Sequence, residues 1–179
     1  SFAVRRAGVL DRFAARGGRL LTVSNVDNLG ATLDPAVVGA HLVAGVEMTV
    51  EVGRRTPGEV GGIPARIDGK LQIVEDLRLP LGFDRAAIPY FNTNTFVFEA
   101  AVLAREFPLS WFVVSKRVDG QEAIQFERLA GQLSAFLSCA CLEVQRSGQD
   151  GRFQPVKDPD ELALRLPEIE QLLRARGVI

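Results

Sequence analysis

Asp27 stands between two amides in Ser24-Asn25-Val26-Asp27-Asn28-Leu29-Gly30, with no basic residue close by in sequence. A carboxylate so placed can hold a hard cation such as Mg²⁺ through oxygen, or accept a hydrogen bond from a hydroxyl. An Asx-rich turn that only caps a helix uses the same residue types. Other candidates stand at strand ends and turns. Gly61-Gly62 bares backbone N–H groups that a sugar or phosphate can approach closely, or forms a flexible loop. Glu75 ends an apolar run and can accept two hydroxyl protons, or sit solvated at an edge. Asn92 and Asn94 are two apart, so on an extended segment both face one side, as paired amides for hydroxyls or as a capping turn. Lys157 follows the stiffening Pro155 and offers a point charge for phosphate, or an ordinary surface lysine.

Other chemistries are excluded by what is absent. His41 is the only histidine and has no Ser or Asp partner in reach, so no nucleophile–base set is readable and a structural or surface place fits it better. There is no Gly-x-x-x-x-Gly-Lys-Ser/Thr loop and no dinucleotide fingerprint. Cys139 and Cys141 are too few for a zinc site and poorly spaced for a disulfide, which points to a reducing, cytoplasmic compartment.

The elements that must position these residues follow from periodicity and punctuation. Residues 2–16 carry a helical stripe stopped by Gly17-Gly18. Residues 19–23 read as a buried strand, and Asp34-Pro35 opens a helix over 36–43 that closes at Gly45. Asp27 thus lies on a strand-to-helix connection, where ligands sit in open α/β sheets. Residues 46–52 alternate, with Val46, Met48, Val50 and Val52 on one face and Glu47, Thr49 and Glu51 on the other. Asp68-Gly69 between two apolar runs predicts a hairpin over 63–74. Turns are expected at 79–82 and at Asp119-Gly120, strands at 111–114 and 140–144, and a helix over 124–136. A last helix begins at Asp158 or Asp160 and is interrupted or kinked at Pro167. Strands alternating with helices predict an α/β domain with a mixed, mainly parallel sheet flanked by helices and an inserted β-hairpin.

The 179 residues are 47% hydrophobic and 24% charged with a net charge of −1, ordinary for a globular chain and unsuited to general nucleic-acid or membrane-surface binding. Eighteen arginines stand against three lysines, Lys70, Lys116 and Lys157, so a retained lysine hints at a task that arginine does not suit. No run is long enough to span a bilayer.

Five blocks in order resemble the UTP–glucose-1-phosphate uridylyltransferase family, the UDP-sugar pyrophosphorylases. They are the segment from Val23 to Ala31, the stretch from Glu51-Val52 through Thr56 and Gly61-Gly62 to Glu75, Phe91-Asn92-Thr93-Asn94, Lys116-Arg117-Val118-Asp119-Gly120, and Phe153-Gln154-Pro155-Val156-Lys157. The resemblance implies a Rossmann-like, GT-A-like nucleotidyltransferase fold and a Mg²⁺-dependent transfer of UMP from UTP to a sugar-1-phosphate, glucose-1-phosphate first, with pyrophosphate released. It implies Asp27 at the metal or the sugar phosphate, Lys157 on the phosphates, and Gly62, Glu75, Asn92 and Asn94 on the sugar side, with Gly61 beside them as a substrate-binding position. Asn25, Asn28 and Lys116 join as substrate-binding positions carried by their blocks. A loop one residue shorter, lacking a basic residue before the glycine pair, and Thr95-Phe96 in place of Asn and Trp resemble a bacterial branch. The family's glycine-rich nucleotide loop has no counterpart here. Residues 1–179 are therefore expected to be one partial catalytic domain of a longer chain, inactive alone. An N-acetylhexosamine pyrophosphorylase and a non-catalytic sugar-nucleotide binding module are the alternative readings.

Overall fold

Gly8, at φ 63°, divides the expected N-terminal helix into α1 (Phe2–Arg6) and α2 (Val9–Ala15). The computed structural model describes residues 2–118 and 120–179; Ser1, the side chain of Phe2 and Asp119 of the expected turn lie outside the described residues. After α2 come β1 (Leu20–Val23) and α3 (Pro35–Ala44), the latter capped by the Asp34 side chain, which accepts the Ala36 N–H at 2.8 Å. Then follow β2 (Met48–Arg54), β3 (Ile63–Ile67), β4 (Lys70–Val74) and β5 (Tyr90–Glu99). The expected hairpin is β3–β4, with Asp68 and Gly69 both at positive φ, as a tight two-residue turn requires.

Residues 124–136 are not a helix. β6 (Phe112–Val118) pairs antiparallel with β7 (Gln121–Glu127), and only Ala130–Ala135 coils, as a 3₁₀ segment. Ile124 and Phe126 are two apart, and that strand period outweighed the helical spacing of the apolar residues beyond them. The chain ends with β8 (Cys139–Glu143) and α4 (Pro159–Ala175), which starts at Asp158 and continues through Pro167 without interruption.

The main sheet has the order β1-β5-β2-β8. β5 is antiparallel to both of its neighbours, and β2 is parallel to β8. β1, β2 and β8 therefore run one way and β5 alone runs the other. The expectation of mainly parallel pairing is corrected: β5 inserts between β1 and β2, so the strands that share a direction are mostly not neighbours. β3–β4 and β6–β7 are separate two-stranded sheets.

β2 is buried on both faces rather than on one. Met48, Val50 and Val52 pack with Phe96, Phe98, Ile73, Leu133 and Leu137 in the core. The opposite face buries polar groups that are satisfied: Thr49 Oγ1 lies 2.8 Å from His41 Nδ1, and Glu51 meets the Arg152 guanidinium at 2.7 and 2.8 Å. His41 is thus a packed residue of α3, with its pKa lowered by burial. The two cysteines are free, and burial pushes the Cys139 and Cys141 thiols up to about 12 and about 11, which keeps them as thiols. No helix among the described residues is long and apolar enough to cross a membrane.

Candidate functional site

Two loops, one after β1 and one after β8, are zipped together at the cleft. The Val156 N–H donates to the Asp27 carbonyl at 2.8 Å, and the Leu29 N–H to the Gln154 carbonyl at 3.0 Å. Asn28 is the fastener. Its side-chain amide donates to the Arg152 carbonyl at 3.1 Å, and its Oδ1 accepts the N–H groups of Gln154 at 2.8 Å and Gly30 at 3.3 Å. It is buried, and its oxygen and one amide N–H are engaged by protein groups, so it holds the two loops together. Gly30 is required there: a Cβ would fall 2.7 Å from the Arg152 carbonyl carbon. Below the zip, the Arg152 guanidinium spans Glu51 and the Thr32 carbonyl, the latter at 3.1 Å. The result is that half-buried Asp27 and exposed Lys157 share one rim. Lys157 is held by its backbone, whose N–H donates to Glu161 Oε2 at 2.9 Å, while Asp158 accepts the Glu161 N–H at 2.8 Å. That reciprocal cap opens α4.

The second wall is a bulge in β5. Between the pairs Val50↔Phe96 and Val52↔Asn92 the register shifts, and Asn94 takes φ 59°. Strand alternation alone does not bring Asn92 and Asn94 together; the bulge does. Asn92 Nδ2 donates to Asn94 Oδ1 at 2.9 Å, and the Asn94 N–H returns to Asn92 Oδ1 at 2.9 Å. The Thr93 hydroxyl anchors the bulge on the Glu51 carbonyl at 2.9 Å. The Asn92 N–H donates to the Gly62 carbonyl at 2.8 Å, which fastens the glycine loop to this wall. Arg55 supports the same loop from below, its guanidinium reaching the carbonyls of Glu59 and, at 3.4 Å, Gly61.

Glu75 directly follows β4 and lies between Gly62 and Gly131. It is 8% exposed, and Oε1 is closed from solvent without a hydrogen-bond partner among the described residues. Burial alone pushes its carboxyl from 4.5 up to about 7. Lys116 comes from β6 and pairs with Glu127 Oε1 at 3.0 Å.

These pieces enclose a cleft of about 420 Å³. All ten residues expected from sequence line it: Asn25, Asp27, Asn28, Gly61, Gly62, Glu75, Asn92, Asn94, Lys116 and Lys157. Two of the three lysines are among them. Phe91 and Phe153, edge to face at 5.0 Å, and Leu129 add apolar wall. Thr95 and Phe96 do not line it; both are buried in β5. A larger groove of about 640 Å³, apolar and lined from α1, α2, β1 and the segment after β5, contains none of the ten.

Sequence reading missed two features. Arg152 sat unremarked in a polar loop, and its pairing with Glu51 spans 101 positions. Gly131 was absorbed into an expected helix, where an isolated glycine was the one available signal.

The family model described as UTP–glucose-1-phosphate uridylyltransferase matches residues 2–172. The chain belongs to that family. Over 174 residues it is 30% identical to UTP–glucose-1-phosphate uridylyltransferase 2 of Dictyostelium discoideum, and over 175 residues 31% identical to the Astragalus penduliflorus enzyme of the same name. These alignments cover 90% of this chain but 34% and 36% of those proteins, so the chain spans about a third of their length. A mutant UDP-glucose pyrophosphorylase from Leishmania major, solved with UDP-glucose, superposes with a TM-score of 0.70 at 28% identity, over 89% of this chain and 39% of that one. The α/β fold of this uridylyltransferase family member is therefore similar to part of UDP-glucose pyrophosphorylase structures. The relatives named here are eukaryotic and lend the expected bacterial branch no support.

Proposed function

We propose that the full-length protein transfers UMP from UTP to a sugar-1-phosphate, glucose-1-phosphate first, giving a UDP-sugar and pyrophosphate. The observation that carries this is the convergence of five separate sequence blocks on one cleft, in a chain of this family. In this reading the fold is of the Rossmann-like, GT-A-like nucleotidyltransferase type and the protein works in the cytoplasm. The bacterial branch rests on sequence alone, on the shortened glycine loop and Thr95-Phe96.

The reaction asks the protein for alignment and charge neutralisation more than for covalent chemistry. On the glycine and asparagine wall, the amides of Asn92 and Asn94 and the carboxyl of Glu75 hold sugar hydroxyls. Phe91, Phe153 and Leu129 keep water from that side. On the zipped rim, the Lys157 ammonium faces the phosphates, where negative charge grows as pyrophosphate leaves. The Lys116–Glu127 pair leaves Lys116 partly neutralised, which suits a binding contact.

The donor set fits Mg²⁺. Among the described residues no three His, Cys, Asp or Glu side chains cluster for a metal, but Asp27 and Asn25 supply oxygen on the rim beside Lys157. Mg²⁺ characteristically takes one or two carboxylates and completes its shell with water and substrate phosphates. Asp27, with Asn25 beside it, would hold the ion, and the bound ion would neutralise phosphate charge.

The test is an assay of the full-length protein with UTP and a panel of sugar-1-phosphates, with and without EDTA. Release of pyrophosphate with glucose-1-phosphate, lost in EDTA and restored by Mg²⁺, is the expected result. Full activity in chelator would remove the metal from the reading. No turnover with any sugar phosphate would replace the enzyme with a binding module.

A further inference from the structure

Gly131 sits in the 3₁₀ segment over the end of β4, where its missing side chain is filled by another residue's carboxyl. A Cβ built on Gly131 falls 2.2 Å from Glu75 Oε1, 3.0 Å from Ile73 Cγ2 and 3.3 Å from Glu75 Cδ. On the other side, a Cβ on Gly62 falls 2.9 Å from Glu75 Oε2. The carboxyl thus occupies a slot with a glycine on each side. Gly131 is not at positive φ, so nothing in its own backbone forbids a side chain. The close approach of Glu75 and Ile73 is what excludes one.

The slot is held shut. Ser134, buried in the same 3₁₀ segment, accepts the Ile73 N–H at 2.7 Å and donates to the Gly131 carbonyl at 2.6 Å. One hydroxyl therefore ties the Gly131 wall to β4 two residues before Glu75. Gln132, also buried, accepts the Ser110 N–H at 3.1 Å. The segment cannot retreat from Glu75 without breaking these bonds. Glu75 meanwhile lines the cleft, and its Oε1 has no partner among the described residues.

We infer that Gly131 is a positioning residue for sugar recognition: by carrying no side chain it lets the Glu75 carboxyl sink into the cleft wall, and that depth sets the space and the hydrogen-bonding position offered to a sugar hydroxyl. The inference rests on the reading of this wall as the sugar side of a uridylyltransferase. An alanine at 131 must move Oε1 by about 1 Å to reach ordinary contact, and a misplacement of about that size can cost up to about a hundredfold in kcat/KM. Glu75 lines the cleft, so a carboxyl displaced from Gly131 intrudes on the sugar there. The nucleotide side is untouched.

The experiment is a double-substitution cycle in the full-length protein with Gly131→Ala, Glu75→Ala and both together. The readouts are kcat and KM for glucose-1-phosphate, UTP affinity and the unfolding midpoint. Gly131→Ala is expected to raise KM for glucose-1-phosphate about ten- to a hundredfold, with kcat within about threefold and UTP affinity unchanged. In the Glu75→Ala background it is expected to add less than about twofold, because the clash with the carboxyl is gone and only the 3.0 Å approach to Ile73 Cγ2 remains. Should Gly131→Ala alone fail to fold, the double variant decides: folding restored by Glu75→Ala supports the slot. A double variant that also fails makes Gly131 a packing residue against Ile73 and overturns the inference. A wild type that turns over no sugar phosphate overturns the functional reading and this inference with it. A wild type that turns over, with the two substitutions acting independently, overturns this inference alone.

Discussion

Glu75 is a carboxyl whose surroundings oppose its charge. The other ionisable groups on the cleft are Asp27, Asp76, Lys116, Glu127 and Lys157. Asp76 is engaged by Arg85 at 2.5 and 3.0 Å, and Lys116 by Glu127, so burial alone raises Glu75. Its folded pKa of about 7 lies above the unfolded 4.5, so between those values the folded state binds the extra proton. Stability from this group is present below pH 4.5, falls as pH rises and is lost above about 7. The difference is on the order of 3 kcal/mol. Glu75→Gln, a neutral mimic, is therefore expected to gain about that much over wild type between pH 4.5 and pH 8, read by denaturant unfolding of the full-length protein at each pH. A gap that stays constant with pH would mean that the carboxyl is solvated. Lys157 carries the opposite expectation, a kinetic one. Its ammonium is exposed on the rim and its backbone is fixed by the α4 cap. Lys157→Ala is expected to lower kcat about tenfold or more while KM for the sugar phosphate changes less, since its charge matters most as pyrophosphate departs. A change confined to KM would make Lys157 a binding residue only.

At the scale of elements, the loop after β8 is fastened to β2, beneath the zip, by a buried ion pair. The Arg152 and Glu51 side chains are 6% and 1% exposed. Arg152→Ala leaves Glu51 charged and alone and is expected to destabilise by about 3–5 kcal/mol, whereas replacing both with apolar residues is expected to lose far less. Thermal melts of the two variants separate these outcomes; equal losses would mean that the guanidinium acts through packing alone. The pairing was not legible in the sequence, because Arg152 lies in an unexceptional loop and the two positions are 101 apart, brought near by the parallel pairing of β2 with β8. What was legible was local. Asp34-Pro35, Asp68-Gly69 and the pair Asp158 and Asp160 announce caps and a turn through their own backbone preferences, and the folded chain uses Asp34, Asp68-Gly69 and, of the last two, Asp158 that way. The ten cleft residues were legible because they fall in contiguous blocks. The 124–136 segment failed for a physical reason: a short apolar run satisfies both periods, and cross-strand pairing with β6 decides between them. The Asn92–Asn94 pair was foreseen for the wrong cause, since the bulge that brings it together depends on β2, some forty residues earlier in the chain.

For the whole molecule, stability is unevenly spread across the cleft. β2 and β5 are buried in the centre of the sheet and carry the asparagine wall. The β6–β7 hairpin carries Lys116 and Glu127 but, among the described residues, pairs with no other strand. Its inward face contributes Val114 to the cleft, while Val113, Ile124 and Phe126 on the opposite face are more than 60% exposed. A two-stranded hairpin without a covered apolar face is marginally stable in water. Amide exchange should follow that division, because local opening is easiest where few apolar contacts are buried. In the full-length protein the β2 and β5 amides are expected to exchange at close to the global unfolding limit. The β6–β7 amides are expected to exchange by local opening, at least about a hundredfold faster. Sugar phosphate with UTP is expected to slow the hairpin selectively, because Lys116 joins the bound ligand from a segment that otherwise opens. Hydrogen–deuterium exchange read by mass spectrometry resolves these segments. Protection of β6–β7 equal to that of β5 without ligand would mean that Val113, Ile124 and Phe126 are covered in the full-length protein, and that Lys116 belongs to a rigid wall rather than to an arm that closes on its substrate.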